Sequence, residues 1–228
     1  MKCYKLSILR HGQTRANEEG FYIGKTDLPL SEAGREELEE KYRSCEYPKV
    51  ERVYSSPAER ALQSAEILFP DREIIIADDL REMDFGVFEG VKAVEAANLD
   101  SYKKWLKGGL DNPPPNGESL RSVIVRCYSA MNAIIRDMMQ NGIARGGIMT
   151  HSGIMMNILS CFGLPKLDPM EFTAAPGEGF EISVTSMLWQ NGGTFEIVGK
   201  IPGGGAVGFT DSGEALFSYG GEEEDYGQ

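Results

Sequence analysis

Short apolar runs alternate with amphipathic stretches along most of the chain, and this alternation predicts strands that are followed by helices. Apolar or β-branched runs predict strands at residues 5–9, 53–55, 74–77 and 148–150. Amphipathic patterns and capping residues predict helices at residues 31–42, 56–68, 92–107, 119–141 and 154–162. Alternating strands and helices favour a largely parallel sheet that is covered on both faces. We therefore expect an α/β fold with three layers, α/β/α, around a mostly parallel central sheet.

Capping residues indicate where two of these helices begin. Ser31 is placed to cap the helix at 31–42, and Ser56 is placed to cap the next helix, with Glu59 completing a capping box. Near the C-terminus, residues 180–189 and 194–199 flank the sequence NGG and predict a β-hairpin. The hairpin is the last predicted element of the fold.

Composition indicates one globular domain followed by a tail. The chain has 228 residues, of which 41% are hydrophobic and 25% are charged. We assign residues 1–201 to a single domain and residues 202–228 to a Gly-rich acidic tail. The four cysteines have no paired spacing, and no apolar run is long enough for a membrane span. We therefore expect a cytoplasmic protein that has no disulfide framework, zinc site or membrane segment.

The net charge of −12 bears on the choice of partner. A surface this acidic repels the phosphate backbone, so nucleic acid is excluded as a nonspecific partner. A small anion stays compatible with this charge if arginines cluster within about one Debye length, roughly 8 Å in physiological salt. The sequence gives no indication of an oligomeric state.

Chemically distinctive residues follow four of the predicted strands. They are Arg10 and His11 after the first strand, Arg60 in the helix after the second, Glu82 in the loop after the third, and His151 after the fourth. Because the carboxyl ends of parallel strands meet at one edge of a sheet, we expect these side chains to lie together. Two guanidinium groups and two imidazoles predict a pocket for a phosphoryl group, and Glu82 would supply an acid.

Small residues beside the two histidines fit the same interpretation. Gly12 and Gly153 would let the backbone approach a ligand closely, and the amides of Ser152 and Gly153 can donate to an anion. Taken singly, each candidate has an ordinary alternative, with Arg60 as a surface helix residue and Glu82 as a solvated loop charge. Their conjunction at one sheet edge favours a binding site.

Four segments of the chain carry these residues in a fixed order, LRHGQTRAN, YSSPAERALQSAE, LREMDFGVFEG and THSG, and a fifth segment, PPPNGESL, lies between the last two. In order and spacing they resemble the motifs of the histidine phosphatase superfamily, which includes the cofactor-dependent phosphoglycerate mutases. The resemblance covers approximately residues 4–200. It implies a phosphoglycerate mutase-like fold and phosphoryl transfer through a phosphohistidine, with neither a metal nor another cofactor.

The resemblance also implies a role for each candidate residue. His11 would be the nucleophile, Glu82 would be the proton donor, and the phosphoryl oxygens would be held by Arg10, Arg60 and His151. Further phosphate-binding candidates are Thr14, Asn17, Ser152 and Gly153. A neutral imidazole suits in-line attack on phosphorus, while fixed cations stabilise the charge on the equatorial oxygens. The other ring nitrogen of His11 should donate to a main-chain carbonyl and so fix the attacking tautomer.

The segment between the acid and the second histidine favours hydrolysis over phosphoryl isomerisation. The 68 residues from 83 to 150 are fewer than in the mutases, whose longer insertion covers the site, and they lack the adjacent arginine pair of the mutases. Because exclusion of water protects a phosphoenzyme, a more open site favours a phosphatase. The alternatives are a phosphoglycerate mutase, a sugar-phosphate phosphatase and a catalytically inactive phosphate-binding module.

The loop LREMDFGVFEG and the short segment after it look most like those of α-ribazole phosphatases. The small phosphorylated metabolite would then be α-ribazole 5′-phosphate, whose flat base needs an apolar wall. Candidate lining residues are Phe21, Tyr22, Lys25 and Phe85, for which a purely structural role is the alternative.

Overall fold

A seven-stranded sheet forms the centre of the structure, a computed structural model that describes residues 2–203. The strands are β1 (Cys3–Arg10), β2 (Arg52–Ser55), β3 (Glu73–Ile76), β4 (Arg145–Thr150), β5 (Gly163–Leu164), β6 (Gly179–Thr185) and β7 (Phe195–Ile201). The helices are α1 (Arg15–Glu18), α2 (Glu32–Ser44), α3 (Glu59–Leu68), α4 (Ala93–Ala96), α5 (Asp100–Lys107), α6 (Leu120–Asn141), α7 (Ser152–Phe162) and α8 (Ser186–Gly192). Short 3₁₀ helices cover Asp78–Leu80, Gly86–Phe88 and Pro169–Phe172. The tail assigned to residues 202–228 lies outside the described residues, apart from its first two.

The strand order is β3-β2-β4-β1-β6-β7-β5. The first four strands in this order are parallel to one another, β6 runs antiparallel to both β1 and β7, and β5 pairs parallel with β7. The carboxyl ends of β1, β2, β3 and β4 therefore meet at one edge of the sheet. At this edge the amide of His11 donates to the carbonyl of Thr150 at 2.9 Å, and the amide of Ser56 donates to that of Met149 at 2.9 Å. The predicted mostly parallel sheet is confirmed.

Alternate side chains of β1 enter two separate apolar clusters. Leu6 and Ile8 pack with residues of α6 and α7, whereas Leu9 packs with residues of α2 and α3. Because successive side chains of a strand point to opposite faces, helices cover both faces of the sheet. The three-layer α/β/α architecture follows from this alternation.

Two of the predicted helix starts had different outcomes. Ser31 caps α2 as predicted, because its side chain accepts from the amide of Gly34 at 3.0 Å. The prediction for Ser56 was wrong: α3 begins only at Glu59, and Ala58 is its N-cap, without a side-chain cap. The hydroxyl of Ser56 instead forms a hydrogen bond with the imidazole of His151, which follows β4.

The predicted C-terminal hairpin is interrupted by a helix. Strands β6 and β7 pair antiparallel, but α8 connects them where strand residues and a tight turn were expected. Thr185 caps this helix, and Gly193 ends it in the left-handed conformation. Trp189 is buried on α8, and its indole nitrogen donates to Asn132 at 2.8 Å. Burial of this large ring against α6 therefore outweighs the local turn signal.

The helix predicted at 92–107 is divided into α4 and α5. The long helix predicted at 119–141 is confirmed as α6, which Ser119 caps and which Gly142 ends in the left-handed conformation. None of the helices within residues 2–203 is long and apolar enough to cross a membrane.

Candidate active site

The two histidines of the chain lie side by side at the carboxyl edge of the sheet. His11 follows β1 and His151 follows β4, and their ring centroids are 5.1 Å apart. Both are buried, with 5% and 0% of their surface exposed. The parallel pairing of β1 with β4 brings together two residues that are far apart in the sequence.

The ring of His11 is held in one tautomer. Its Nδ1 lies 2.6 Å from the carbonyl oxygen of Gly12. A carbonyl only accepts, so Nδ1 carries the proton and Nε2 keeps its lone pair. This contact confirms the prediction that the ring donates to a main-chain carbonyl. Burial, assisted by the charges of Arg60 and Arg10, lowers the pKa of His11 to about 3, so the ring is neutral at neutral pH.

The ring of His151 is hydrogen-bonded through its other ring position, Nε2. Its Nε2 lies 2.8 Å from the hydroxyl of Ser56, which also accepts from the amide of Ala58 at 3.3 Å. Burial lowers the pKa of His151, and the neighbouring His11 and arginines lower it further. A neutral ring that accepts the Ser56 proton at Nε2 carries its own proton at Nδ1, where it acts as a donor. Ser56 is thus a site residue that sequence analysis had treated only as a helix cap.

The two arginines are partly fixed by main-chain carbonyls. Arg10 donates through Nη1 to Ala174 at 2.9 Å, and Arg60 donates to Gly24 and Thr26 at 3.0 and 2.9 Å. Burial lowers the pKa of both guanidinium groups, while the nearby charge of Glu82 opposes this effect. Both stay positively charged at neutral pH, since arginine titrates far above it.

Two buried side-chain atoms have no hydrogen-bond partner within residues 2–203. They are Nε of Arg10 and Nδ1 of His151. Buried polar groups are almost always paired, so each exception calls for an explanation. Nε of Arg10 is an N–H donor, and Nδ1 of His151 is a donor when Ser56 gives its proton to Nε2; such donors suit the oxygens of an anion.

Glu82 is 8% exposed and faces the helix that follows His151. Its carboxyl accepts from its neighbour Met83 at 2.9 Å and from the amide of Gly153 at 3.2 Å. Burial raises the pKa of Glu82, although these two hydrogen bonds and the nearby arginines oppose the rise. A raised pKa suits a carboxyl group that has to donate a proton.

The two glycines were predicted to make room for a ligand, but protein atoms occupy the space beside them. A Cβ at Gly153 would lie 2.8 Å from Oε1 of Glu82, and a Cβ at Gly12 would lie 2.5 Å from Leu38. The amide of Gly153 therefore binds the acid. A Cβ at either position would displace a neighbouring side chain, Leu38 at Gly12 and the acid Glu82 at Gly153.

Thr14, Asn17 and Ser152 were predicted to assist phosphate binding. Thr14 and Asn17 form a reciprocal capping box at the start of α1. In this box the hydroxyl of Thr14 and the carboxamide oxygen of Asn17 bond to each other. The hydroxyl of Ser152 lies 3.8 Å from the sulfur of Met156. These contacts give all three residues a structural role.

A sequence profile described as "Histidine phosphatase superfamily (branch 1)" matches residues 6–198. The chain belongs to this superfamily. Among its relatives, a protein named putative phosphoserine phosphatase 2 from Hydrogenobacter thermophilus is 29% identical over 171 residues, which cover 72% of this chain and 82% of the relative.

Two solved structures share the fold of this chain but are named as different enzymes. The crystal structure of a putative alpha-ribazole-5′-P phosphatase from Escherichia coli has a TM-score of 0.68 at 24% identity, and covers 80% of this chain and 91% of its own. The crystal structure of a phosphoglycerate mutase from Bacillus anthracis has a TM-score of 0.69 at 20% identity, with coverages of 86% and 92%. At these identities the likeness shows the fold, and the predicted phosphoglycerate mutase-like fold is confirmed.

A cavity of about 700 Å³ lies beside the carboxyl group of Glu82 in this member of the histidine phosphatase superfamily. Its charged lining residues are Lys25, Arg81, Glu82, Asp84, Asp111 and Glu118. Lys25 donates to Asp84 at 2.9 Å. Lys25 was among the predicted lining residues, and the structure places it at this cavity.

The three aromatic candidates for the lining lie elsewhere. Tyr22 and Phe85 pack on each other and on Trp105, and the hydroxyl of Tyr22 is 2.5 Å from that of Tyr102. The ring of Phe21 lies beneath the ammonium of Lys92 at 5.2 Å. None of Phe21, Tyr22 and Phe85 lines the cavity beside Glu82, so the expected apolar wall is absent from that cavity.

Proposed function

We propose that the protein is a phosphomonoesterase that hydrolyses a small phosphorylated metabolite through a phosphohistidine at His11. The observation that carries the proposal is the pair of buried imidazoles whose ring centroids lie 5.1 Å apart. His11 presents a lone pair at Nε2, and Nδ1 of His151 is buried without a partner within residues 2–203. A nucleophile beside a donor, with two arginines, suits attack on a phosphate monoester.

The first step transfers the phosphoryl group to the enzyme. Nε2 of His11 forms a bond to phosphorus while the bond between phosphorus and the ester oxygen breaks. Glu82 gives its proton to the departing alkoxide, and such general acid assistance typically contributes about 10²- to 10⁴-fold. Nδ1–H of His151 and the guanidinium groups of Arg10 and Arg60 stabilise the charge on the remaining oxygens.

The second step returns the enzyme to its starting state. Glu82, now ionised, takes a proton from a water molecule, whose oxygen attacks phosphorus as the bond to His11 breaks. Inorganic phosphate then leaves, and Glu82 is again protonated. The pKa of Glu82, raised by burial, lets the carboxyl both donate and accept a proton in one cycle.

Two candidate substrates are supported by different observations. The sequence resemblance favours α-ribazole 5′-phosphate, and one solved structure of the same fold is named a putative alpha-ribazole-5′-P phosphatase. The cavity beside Glu82 favours a small zwitterion such as phosphoserine, because its lining carries both cations and carboxylates. A relative named as a putative phosphoserine phosphatase supports the second candidate. A comparison of kcat/KM for these substrates, 3-phosphoglycerate and fructose bisphosphates distinguishes them from a mutase or sugar-phosphate phosphatase.

Trapping of the phosphoenzyme tests the reaction class. Wild type mixed briefly with a ³²P-labelled substrate and quenched should carry acid-labile, alkali-stable label, whereas His11→Ala should carry none and release no phosphate. Label on another residue type, or phosphate release by the alanine variant, would contradict the mechanism. Binding of inorganic phosphate without turnover of p-nitrophenyl phosphate at any pH would instead support the inactive binding module.

A further inference from the structure

Arg126 of α6 is a buried cation away from the two histidines. Only 6% of its surface is exposed, and it forms five hydrogen bonds. Nε and Nη2 each donate to the Glu118 carboxylate at 2.9 Å. Nη1 donates to the carbonyls of Asp79 and Arg81 at 2.8 and 2.6 Å, and Nη2 donates to that of Glu82 at 3.2 Å. A guanidinium has five N–H groups, so each one is matched by an acceptor.

Three of these acceptors belong to the segment that carries the candidate acid, residues 78–84, which we call the acid loop. Other elements hold further carbonyls of the loop. The hydroxyl of Thr150 donates to Leu80 at 2.8 Å, and the amide of Glu118 donates to Asp84 at 2.9 Å. The backbone on both sides of the Glu82 side chain is therefore anchored to α6, β4 and the segment that precedes α6.

Glu118 makes the burial of Arg126 possible. An unpaired buried charge is costly, and the bidentate contact with Glu118 balances the charge of Arg126. Burial alone would raise the pKa of Glu118, but its hydrogen bonds to Arg126 and the charge of Arg126 outweigh this effect and hold that pKa below its ordinary value. Glu118 is thus ionised at neutral pH, and the remaining donors of Arg126 are directed at the acid loop.

We propose that Arg126, balanced by Glu118, is a positioning residue that fixes the acid loop so that the Glu82 carboxyl can reach the leaving-group oxygen. The inference rests on the proposed general-acid role of Glu82. Lysine cannot replace arginine here, because one ammonium cannot bind a carboxylate in bidentate fashion and also reach three carbonyls. A misplacement of about 1 Å in a catalytic group can lower a rate by roughly 10²-fold.

The test compares leaving groups. An alkyl phosphate such as glycerol 2-phosphate needs a proton on its leaving oxygen, whereas p-nitrophenolate leaves with little help. In Arg126→Lys, kcat/KM for glycerol 2-phosphate should fall by about tenfold or more, while kcat/KM for p-nitrophenyl phosphate should change by less than about threefold. Glu118→Gln should show the same selective loss to a smaller extent, since its amide still accepts one of the two hydrogen bonds.

A matched control variant and the wild type separate a failure of this inference from a failure of the proposed function. Arg136→Lys makes the same change at an exposed position of α6 and should alter neither value. Equal losses on both substrates in Arg126→Lys and Glu118→Gln, or no loss in either variant, would overturn the inference. It would also be overturned if Glu118→Gln folded with full activity while Arg126→Lys did not fold. If the wild type hydrolyses neither substrate, or if Glu82→Gln shows no dependence on the leaving group, the proposed function fails first.

Discussion

The two halves of the sheet differ in the residues that lie directly after their strands. In the parallel half, β1, β2 and β4 are followed directly by His11, Ser56 and His151, which meet at one edge. In the other half, which we call the antiparallel half, β6 runs opposite to both β1 and β7, and the main contribution to the site is a carbonyl of Ala174 that binds Arg10. The parallel half brings the candidate catalytic side chains together because the carboxyl ends of all its strands lie at one edge, whereas the antiparallel half mainly stabilises the fold.

If this division is correct, the largest loss outside the nucleophile should follow a change at Glu82. Glu82→Gln keeps the shape but has no proton to give, so kcat/KM for an alkyl phosphate should fall by about 10²- to 10⁴-fold. The loss on p-nitrophenyl phosphate should be much smaller. An equal loss on both substrates, measured by phosphate release, would make Glu82 a structural residue.

The pH dependence of the wild type sharpens the same point. Burial raises the pKa of Glu82, so the protonated acid is lost, and kcat/KM for an alkyl phosphate falls, as the pH rises through that value. The pKa of His11 is about 3 in the free protein, so protonation of the nucleophile lowers kcat/KM only as the pH falls towards that value. The decline at high pH should disappear in Glu82→Gln; its persistence there would assign it to another group.

Arg60 lies on the helix that follows β2 and should show the next largest effect. Arg60→Ala removes a buried charged donor, and the expected cost is about 10²- to 10³-fold in kcat/KM. Inhibition by inorganic phosphate should weaken as well. Arg43→Ala removes an exposed arginine from α2 and serves as the control, with unchanged kinetics. Unaltered phosphate inhibition in Arg60→Ala would remove Arg60 from the pocket.

A smaller effect is expected at Ser56. Ser56→Ala removes the hydrogen bond that holds Nε2 of His151, and the loss of one hydrogen bond worth about 1–1.5 kcal/mol corresponds to about tenfold in kcat/KM. Ser56→Thr keeps the hydroxyl and should recover most of the activity. If both variants behave like the wild type, the contact with Ser56 does not position His151 for catalysis.

The antiparallel half should respond in stability and not in catalysis. Trp189→Phe removes the hydrogen bond to Asn132 and part of the buried ring, and should lower the free energy of unfolding by about 1–3 kcal/mol. Denaturant unfolding measures this change. The folded variant should keep kcat/KM within about twofold of the wild type. A selective kinetic defect would show that the two halves are coupled more closely than the contacts indicate.

Several features could be predicted from sequence because they depend on local pattern or on strand direction. The alternation of apolar runs and amphipathic helices predicted a mostly parallel sheet in three layers. Because parallel strands share an edge, the positions of His11 and His151 after two such strands were enough to expect them together. Local rules failed where burial competed with them, as at α8, where packing of Trp189 replaces the expected turn by a helix.

The sequence by itself therefore determined the fold class and the edge of the sheet at which the candidate residues lie, because hydrophobic periodicity and the alternation of strands and helices along the chain are local patterns. Only the tertiary structure decided how those residues are held. Ser56 binds His151 across 95 positions of the chain, and the amide of Gly153 binds Glu82 across 71. Tautomers, buried charge pairs and the lining of a cavity depend on such long-range contacts, which no local pattern specifies.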